Sequence, residues 1–164
     1  MSNEKYKTRT GWKDVQQVSS LPLQIFLFVN VYVSAIWLVV HGNYVYEMVN
    51  TFGMIQRTLT IMASVIAMPG EVLRLYLGYS GNLGGKISDL AGFWILSTLV
   101  QLPIQLYFTL TAADDWILIV YLQYLLVCLL LFEIPTGGYA SNKLSKHQSQ
   151  QYRIQLIGKM HKNS

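Results

Sequence analysis

Four long apolar runs, separated by short polar segments, set the pattern of the chain. A helix that rises about 1.5 Å per residue needs about 20 apolar residues to cross about 30 Å of hydrocarbon, and three of the runs are close to that length. The second uncharged run, Thr58–Gly70, is shorter, but it spans a bilayer if Arg57 and Arg74 reach the two interfaces. The pattern therefore predicts an all-α membrane protein, a four-helix transmembrane bundle with short loops and cytoplasmic termini. The predicted spans cover about residues 21–41, 55–76, 90–110 and 116–134, between a cytoplasmic tail at 1–20 and a basic cytoplasmic tail at 135–164.

Composition and charge agree with this pattern. Hydrophobic residues make up 52% of the 164 positions and charged residues only 12%, about half the charged share of soluble domains. The net charge of +4 comes mainly from the two tails, so the positive-inside rule places both tails and the Tyr79–Asp89 loop in the cytoplasm. Positive charge beside apolar spans indicates the orientation of the protein and contact with the lipid bilayer. No band of basic residues crosses a folded domain, so the charge does not predict nucleic-acid binding.

Residues with reactive side chains form no evident catalytic or metal-binding group in the sequence. A single cysteine, Cys128, excludes an internal disulfide, and no Cys/His spacing predicts a metal site. We expect Cys128 to be a packing residue, with S-acylation as the alternative. His41 is expected at the outer interface, with pH sensing as the alternative, and Asp114 and Asp115 are expected in a solvated turn.

Polar residues within the runs are candidates for contacts between helices. Glu71 and Arg74 are three residues apart and share one helical face, so we expect an ion pair near the cytoplasmic edge of the second span. Asn30, near the middle of the first span, should find a partner on another helix. Pro69 and Pro103 are predicted sites of helix kinks.

Glycine, asparagine and proline predict where the spans end. Gly81 and Asn82 suit a backbone with positive φ and predict a cytoplasmic turn, while Pro135–Gly138 predicts the end of the fourth helix. The glycine spacing fits neither a P-loop nor a dinucleotide fingerprint. The basic tail is predicted either to be solvated or to contact anionic lipid through a short amphipathic patch. That patch consists of Tyr152, Ile154, Leu156 and Ile157.

One stretch carries a family resemblance. It reads Glu-x-x-Arg-Leu-Tyr-Leu-Gly-Tyr-x-Gly-Asn-Leu from Glu71, and is followed by Lys86, by Leu-Ala-Gly-Phe-Trp and by Gln-Leu-Pro. Together with Ser-Leu-Pro-Leu-Gln before the first span, this stretch resembles the transmembrane protein 17 family, and the match is dense from Glu71 to about Tyr107. The sequence departs from the family at Gly84, Gly85 and Ser88, where related sequences tend to carry an acid and a proline.

The resemblance implies a setting that composition does not show. Members of that family are small four-span proteins of the ciliary transition zone membrane, where they belong to the tectonic-like complex with other membrane and membrane-associated proteins. They support cilium assembly, limit exchange of membrane proteins with the cell surface, and so affect Hedgehog signalling. The residues that the motif singles out would either contact a partner or only maintain the fold. They are Glu71, Arg74, Tyr76, Tyr79, Gly81 and Asn82.

The residues themselves favour a non-enzymatic scaffold. The turns between spans are short, and no cluster of nucleophile, base and oxyanion donors is evident, so we predict no catalytic residue, cofactor, metal or small-molecule substrate. The alternative is a small transporter or channel, although no inverted repeat is visible. Its polar path would contain Asn30, Gln56, Glu71, Gln101 and Gln105.

Overall fold

A computed structural model describes residues 19–112 and 116–163, and all of its regular structure is helical. The elements are α1 (Leu21–Met48), α2 (Met54–Gly84), α3 (Ile87–Ile95), a π-helical turn (Leu96–Gln101), α4 (Leu102–Thr111) and α5 (Ile117–Asn163). Because α3, the π-helical turn and α4 are continuous, the described chain has four helices long and apolar enough to cross a membrane. The prediction of an all-α four-span bundle is confirmed. The turn at Asp114 and Asp115 and most of the N-terminal tail lie outside the described residues.

The bundle interior has an apolar layer at each end and a polar layer between them. We call one end of the bundle the inner end. There the backbone N–H of Ser20 donates to Asn82 near the end of α2, and Gln148 of α5 donates to the carbonyl oxygen of Gly85 in the loop after α2. The inner apolar layer contains Leu23, Leu27, Leu75, Leu90, Phe93, Ala140 and Leu144. The outer apolar layer contains Trp37, Tyr44, Ala67, Phe108, Ile119, Leu122 and Leu126.

The turn predicted at Tyr79–Asp89 is much shorter in the structure. Helix α2 continues to Gly84, and only two residues separate it from α3. The prediction of positive φ at Gly81 and Asn82 is wrong, since Gly85 is the glycine with a left-handed backbone, at φ 61°. Gly81 serves close packing instead: a Cβ there would lie 2.6 Å from the backbone nitrogen of Leu90.

The predicted end of the fourth helix at Pro135–Gly138 is also wrong. Helix α5 continues to Asn163 with Pro135 inside it. Two glycines let α5 pack tightly on α3, because a Cβ at Gly137 would lie 2.8 Å from Cε1 of Phe93 and one at Gly138 would lie 3.2 Å from Nε1 of Trp94. Tertiary packing thus overrides the low helix propensity of proline and glycine.

The two other prolines lie inside spans. Pro69 lies within α2 without ending it. Pro103 is the second residue of α4, which follows the π-helical turn. A proline ring crowds the carbonyl group four residues earlier, here that of Leu99, and the wider turn makes room for it. The π-helical turn also directs Ser97 and Gln101 into the interior, where both are buried.

Candidate functional site: a charge cluster inside the bundle

The centre of the polar layer is an ion pair on α2. The guanidinium of Arg74 donates from Nη2 to Oε1 of Glu71 over 2.5 Å and from Nε to Oε2 over 3.2 Å. The side chains are 0% and 1% exposed. Spacing of three residues on one helix brings them together, as the sequence predicted, so this ion pair is confirmed.

Helix α5 supplies a second acid, Glu133, which the sequence analysis does not single out. Nη1 of Arg74 donates to Oε2 of Glu133, and the Glu133 side chain is 0% exposed. The amide of Asn30 donates from Nδ2 to the other carboxylate oxygen of Glu133 over 2.8 Å. The interhelical partner predicted for Asn30 is therefore confirmed, and it is Glu133. One guanidinium thus joins α2 to α5.

Helix α1 closes the cluster with two residues one turn apart. Oγ of Ser34 donates to Oε1 of Glu71 over 2.6 Å and lies 3.0 Å from Oδ1 of Asn30. The sequence analysis placed Asn30 at mid-membrane and Glu71 at the inner edge. The structure brings both into one cluster, because α1 and α2 cross at this level.

Helix α3 completes the surroundings of Arg74 with an aromatic ring. The guanidinium carbon lies 5.8 Å from the centre of the Phe93 ring, within the range of a cation–π contact. The charge cluster, which we define as Asn30, Ser34, Glu71, Arg74 and Glu133, is thus built from three spans, and the third span covers Arg74 with Phe93. The cluster contains two carboxyl groups and one guanidinium, all buried.

The energetics of the cluster follow from its burial. A charged group in a membrane interior costs roughly 2.5–3.5 kcal/mol on insertion scales, and pairing offsets this cost. Removing one partner of a buried pair leaves an uncompensated charge, at a cost of about 3–5 kcal/mol. We therefore expect the helices to pack stably in this arrangement only when the two acids and the arginine are paired.

A second polar group lies in the outer half of the bundle, around His41. The sequence analysis expected this residue at the interface, but its ring is 0% exposed and stacks on Trp37, with ring centres 4.8 Å apart. His41 is in fact inside α1, which runs to Met48. Its Nε2 lies 3.0 Å from Oγ of Ser64.

The contact between His41 and Ser64 does not form a nucleophile–base pair. The Ser64 hydroxyl donates to the carbonyl oxygen of Thr60 over 2.7 Å, so its proton points away from the histidine. A general base must instead accept the proton of the nucleophile. The arrangement is a buried polar contact between α1 and α2. Within the described residues no group of three His, Cys, Asp or Glu side chains could hold a metal ion.

The residues of the motif divide between the interior and the surface. Glu71, Arg74, Gly81 and Asn82 all face the interior. Asn82 accepts the backbone N–H of Ser20 at 2.8 Å and donates to the Ser20 carbonyl oxygen at 3.1 Å. It thereby holds the start of α1, a role that its prediction as a turn residue missed.

The two tyrosines of the motif do not join the interior residues. Tyr76 is 66% exposed on the outer surface of α2. Tyr79 is partly buried against the inner apolar layer. Glu133 is the important residue that sequence reasoning missed. Its signal was present, since it is the last acid in the sequence and directly follows an apolar run.

Comparisons with known proteins agree with the architecture. A family model described as "Predicted membrane protein" matches residues 25–130. Transmembrane protein 17A of Danio rerio is 33% identical over 144 residues, which is 85% of this chain and 64% of that protein. Transmembrane protein 17A of Xenopus tropicalis is 34% identical over 147 residues, or 86% of this chain and 76% of that protein. Transmembrane protein 17 of Homo sapiens is 40% identical over 97 residues, or 57% of this chain and 46% of that protein.

The chain thus matches about half to three quarters of the length of these relatives. No solved structure matches it. The family match begins within α1, ends within α5, and includes Asn30, Glu71 and Arg74. The chain belongs to the transmembrane protein 17 family.

Proposed function

We propose that this protein is a non-enzymatic, multi-pass component of the ciliary transition zone membrane. In this proposal it belongs to the tectonic-like complex with other transition-zone membrane proteins, supports cilium assembly and the membrane diffusion barrier, and thereby affects Hedgehog signalling. The resemblance of the Glu71–Leu83 motif to the transmembrane protein 17 family supports this setting. The names of the relatives describe them only as membrane proteins, so the location at the ciliary transition zone is the part of the proposal that needs a direct test.

The scaffold role is supported by the pairing of the charged side chains inside the bundle. Arg74 donates to both Glu71 and Glu133, and each of these acids also accepts a hydrogen bond from a polar residue of α1. Such closed pairing stabilises a helix arrangement and leaves none of these three charged groups directed at a solute. The surface is therefore what remains for partners, both along the lipid-facing helices and at the inner end.

The outer surface of the helices suits contact with lipid and with other membrane proteins. Large apolar side chains are exposed along all four spans, including Ile25 at 62%, Val65 at 69%, Leu99 at 70% and Leu118 at 58%. In water such a surface would cause aggregation. In a bilayer it is the surface where lipids and partner helices pack.

A small transporter or channel is the second candidate, because one observation favours it. The amides of Gln101 and Gln105 are buried and make no hydrogen bond to any described residue. Buried unpaired amides of this kind are suited to polar solutes or water. Against this function, the Glu71 carboxylate, which the path would need, is engaged by Arg74 and Ser34.

The location of the protein in a ciliated cell tests the proposal. We would express a tagged full chain at native level and image it with markers of the transition zone and the axoneme. The expected result is a narrow ring at the base of the cilium, with co-purification of tectonic-like complex members. A diffuse signal over another membrane would contradict the proposal.

The two candidates differ in a second measurement. Purified protein in proteoliposomes is expected to give no ion or solute flux above that of empty vesicles. Flux that Glu71→Gln abolishes would favour the transporter and count against the scaffold.

A further inference from the structure

The last helix extends well beyond the bundle. Helix α5 contains 47 residues, which correspond to about 70 Å at about 1.5 Å per residue, whereas the hydrocarbon layer is about 30 Å thick. Gln148 lies level with the loop after α2, because its Nε2 donates to the carbonyl oxygen of Gly85 over 3.0 Å. The residues after Gln148 therefore project about 22 Å past the inner end of the bundle.

Contacts with the bundle fix the direction of this extension. Ala140 and Leu144 are buried in the inner apolar layer, at 2% and 4% exposure. Gly137 and Gly138 lie against Phe93 and Trp94 of α3. Since α5 is a continuous helix to Asn163, the extension continues the line of the helix segment that packs on the bundle.

Four exposed residues of the extension, three apolar and one basic, share one side of the helix. Tyr152, Ile157 and Met160 are 64%, 63% and 66% exposed, and Arg153 is exposed as well. With 3.6 residues per turn these four positions fall within an arc of about 140° around the helix axis. We call them the basic stripe. The sequence after Glu133 contains five Lys and Arg residues and no acid.

We propose that the basic stripe is a docking surface for an acidic amphipathic helix of another protein. The apolar members would pack against the apolar face of the partner, as helices do in helix-in-groove and coiled-coil recognition. Arg153 would pair with an acid of the partner, and the positive charge of this segment, which carries no acid after Glu133, favours an acidic partner, since charge complementarity sets partner choice and orientation. This inference does not depend on the cellular location given under the proposed function.

Two other occupants fit the structure less well. To bind anionic lipid, the extension would have to bend away from the line of α5 onto the membrane surface. The contacts of Leu144 and Gln148 keep α5 packed along the bundle to the point where the stripe begins. A second copy of this chain would bring two segments of the same positive charge together, and like charges across an interface are unfavourable.

Binding of a defined peptide tests the proposal. The full chain in phosphatidylcholine nanodiscs would be titrated against a fluorescent 28-residue helix with leucine at its core positions and glutamate beside them. A scrambled peptide of the same composition keeps the charge but loses the apolar face. We expect micromolar binding of the amphipathic peptide and at least tenfold weaker binding of the scrambled one.

Matched variants separate the stripe from general charge attraction. The double variant Ile157→Ser, Met160→Ser should weaken binding of the amphipathic peptide at least tenfold. Tyr139→Ser is the control, because Tyr139 is a 67% exposed residue of α5 at the level of the bundle, and it should leave binding unchanged. Absence of binding, equal binding of both peptides, or no loss in the double variant would overturn the proposal.

A lipid measurement tests the competing occupant. Ile157→Cys in a Cys128→Ala background would carry an environment-sensitive fluorophore, and its emission would be compared in vesicles of phosphatidylcholine alone and with 30% phosphatidylserine. Emission should be the same in both. A blue shift with phosphatidylserine would overturn the proposal and assign the stripe to the membrane surface.

Discussion

Arg74 on α2 and Glu133 on α5 are 59 positions apart in the chain and form a buried ion pair inside the bundle. Neither side chain reaches the surface. The same guanidinium also binds Glu71, so one arginine links the second and last spans.

Loss of Arg74 should be far more harmful than loss of an exposed cation. Arg74→Leu leaves two buried carboxyl groups without a cation, and we expect a loss of stability of about 3–5 kcal/mol. Lys86→Leu is the matched control, since Lys86 is exposed and such changes usually cost less than about 0.5 kcal/mol. Thermal unfolding in detergent and protein abundance in cells measure the difference. Equal values for both variants would show that Arg74 does not hold the fold.

Gly81 should not tolerate a methyl group, whereas nearby Gly84 should. A Cβ at Gly81 would lie 2.6 Å from the backbone nitrogen of Leu90, and at Gly84 the nearest atom would be a flexible lysine carbon at 3.7 Å. Gly81→Ala is expected to cost roughly 1–3 kcal/mol, as overpacking does. Gly84→Ala should be neutral or slightly stabilising, because alanine favours helix. Unfolding curves of the two variants measure this, and similar losses for both would contradict close packing at Gly81.

Asn82→Leu should loosen the start of α1. The change removes the hydrogen bonds to both backbone groups of Ser20 and to the side chain of Gln24. Unpaired backbone groups cost about 1–3 kcal/mol each when they are buried. Hydrogen–deuterium exchange should be faster around residues 20–24. Asn43→Leu is the control, since Asn43 is exposed and bonds only within its own helix; accelerated exchange in both variants, or in neither, would count against this role.

Helix α5 should protect its amide protons beyond Pro135. The helix is continuous, and Ala140 and Leu144 are buried, so residues 139–148 should exchange at rates similar to those of the spans. Gln148→Ala removes the hydrogen bond to Gly85 and should raise exchange only near the inner end. Rapid exchange of residues 139–148 in the unchanged protein would instead support a helix end at Pro135–Gly138, which the sequence alone predicts.

The sequence was sufficient for features that depend on local spacing. Apolar run lengths gave four spans, and the interval between Glu71 and Arg74 gave their ion pair. Features that depend on contacts between distant segments were missed. Pro135 and Gly137 look like helix breakers in isolation, yet both lie inside α5, and Gly137 is required there by the close approach of the Phe93 ring.

Glu133 and Gly81 illustrate the same limit. Nothing local to Glu133 indicates that it faces Arg74, because their proximity arises from the packing of both α2 and α5 against α1 and α3. Gly81 suggested a positive φ, which is the usual local reason for glycine. Its actual reason is the approach of α3, which no pattern within α2 reveals.

A double-variant comparison at Arg74 and Glu133 tests the central claim most directly. Arg74→Met leaves two buried carboxyl groups without a cation, and adding Glu133→Gln removes one of them. If the charge cluster holds the bundle together, the double variant should be more stable than Arg74→Met alone, by at least about 1 kcal/mol in unfolding measurements. A double variant whose losses simply add, or that is less stable than Arg74→Met, would contradict the account.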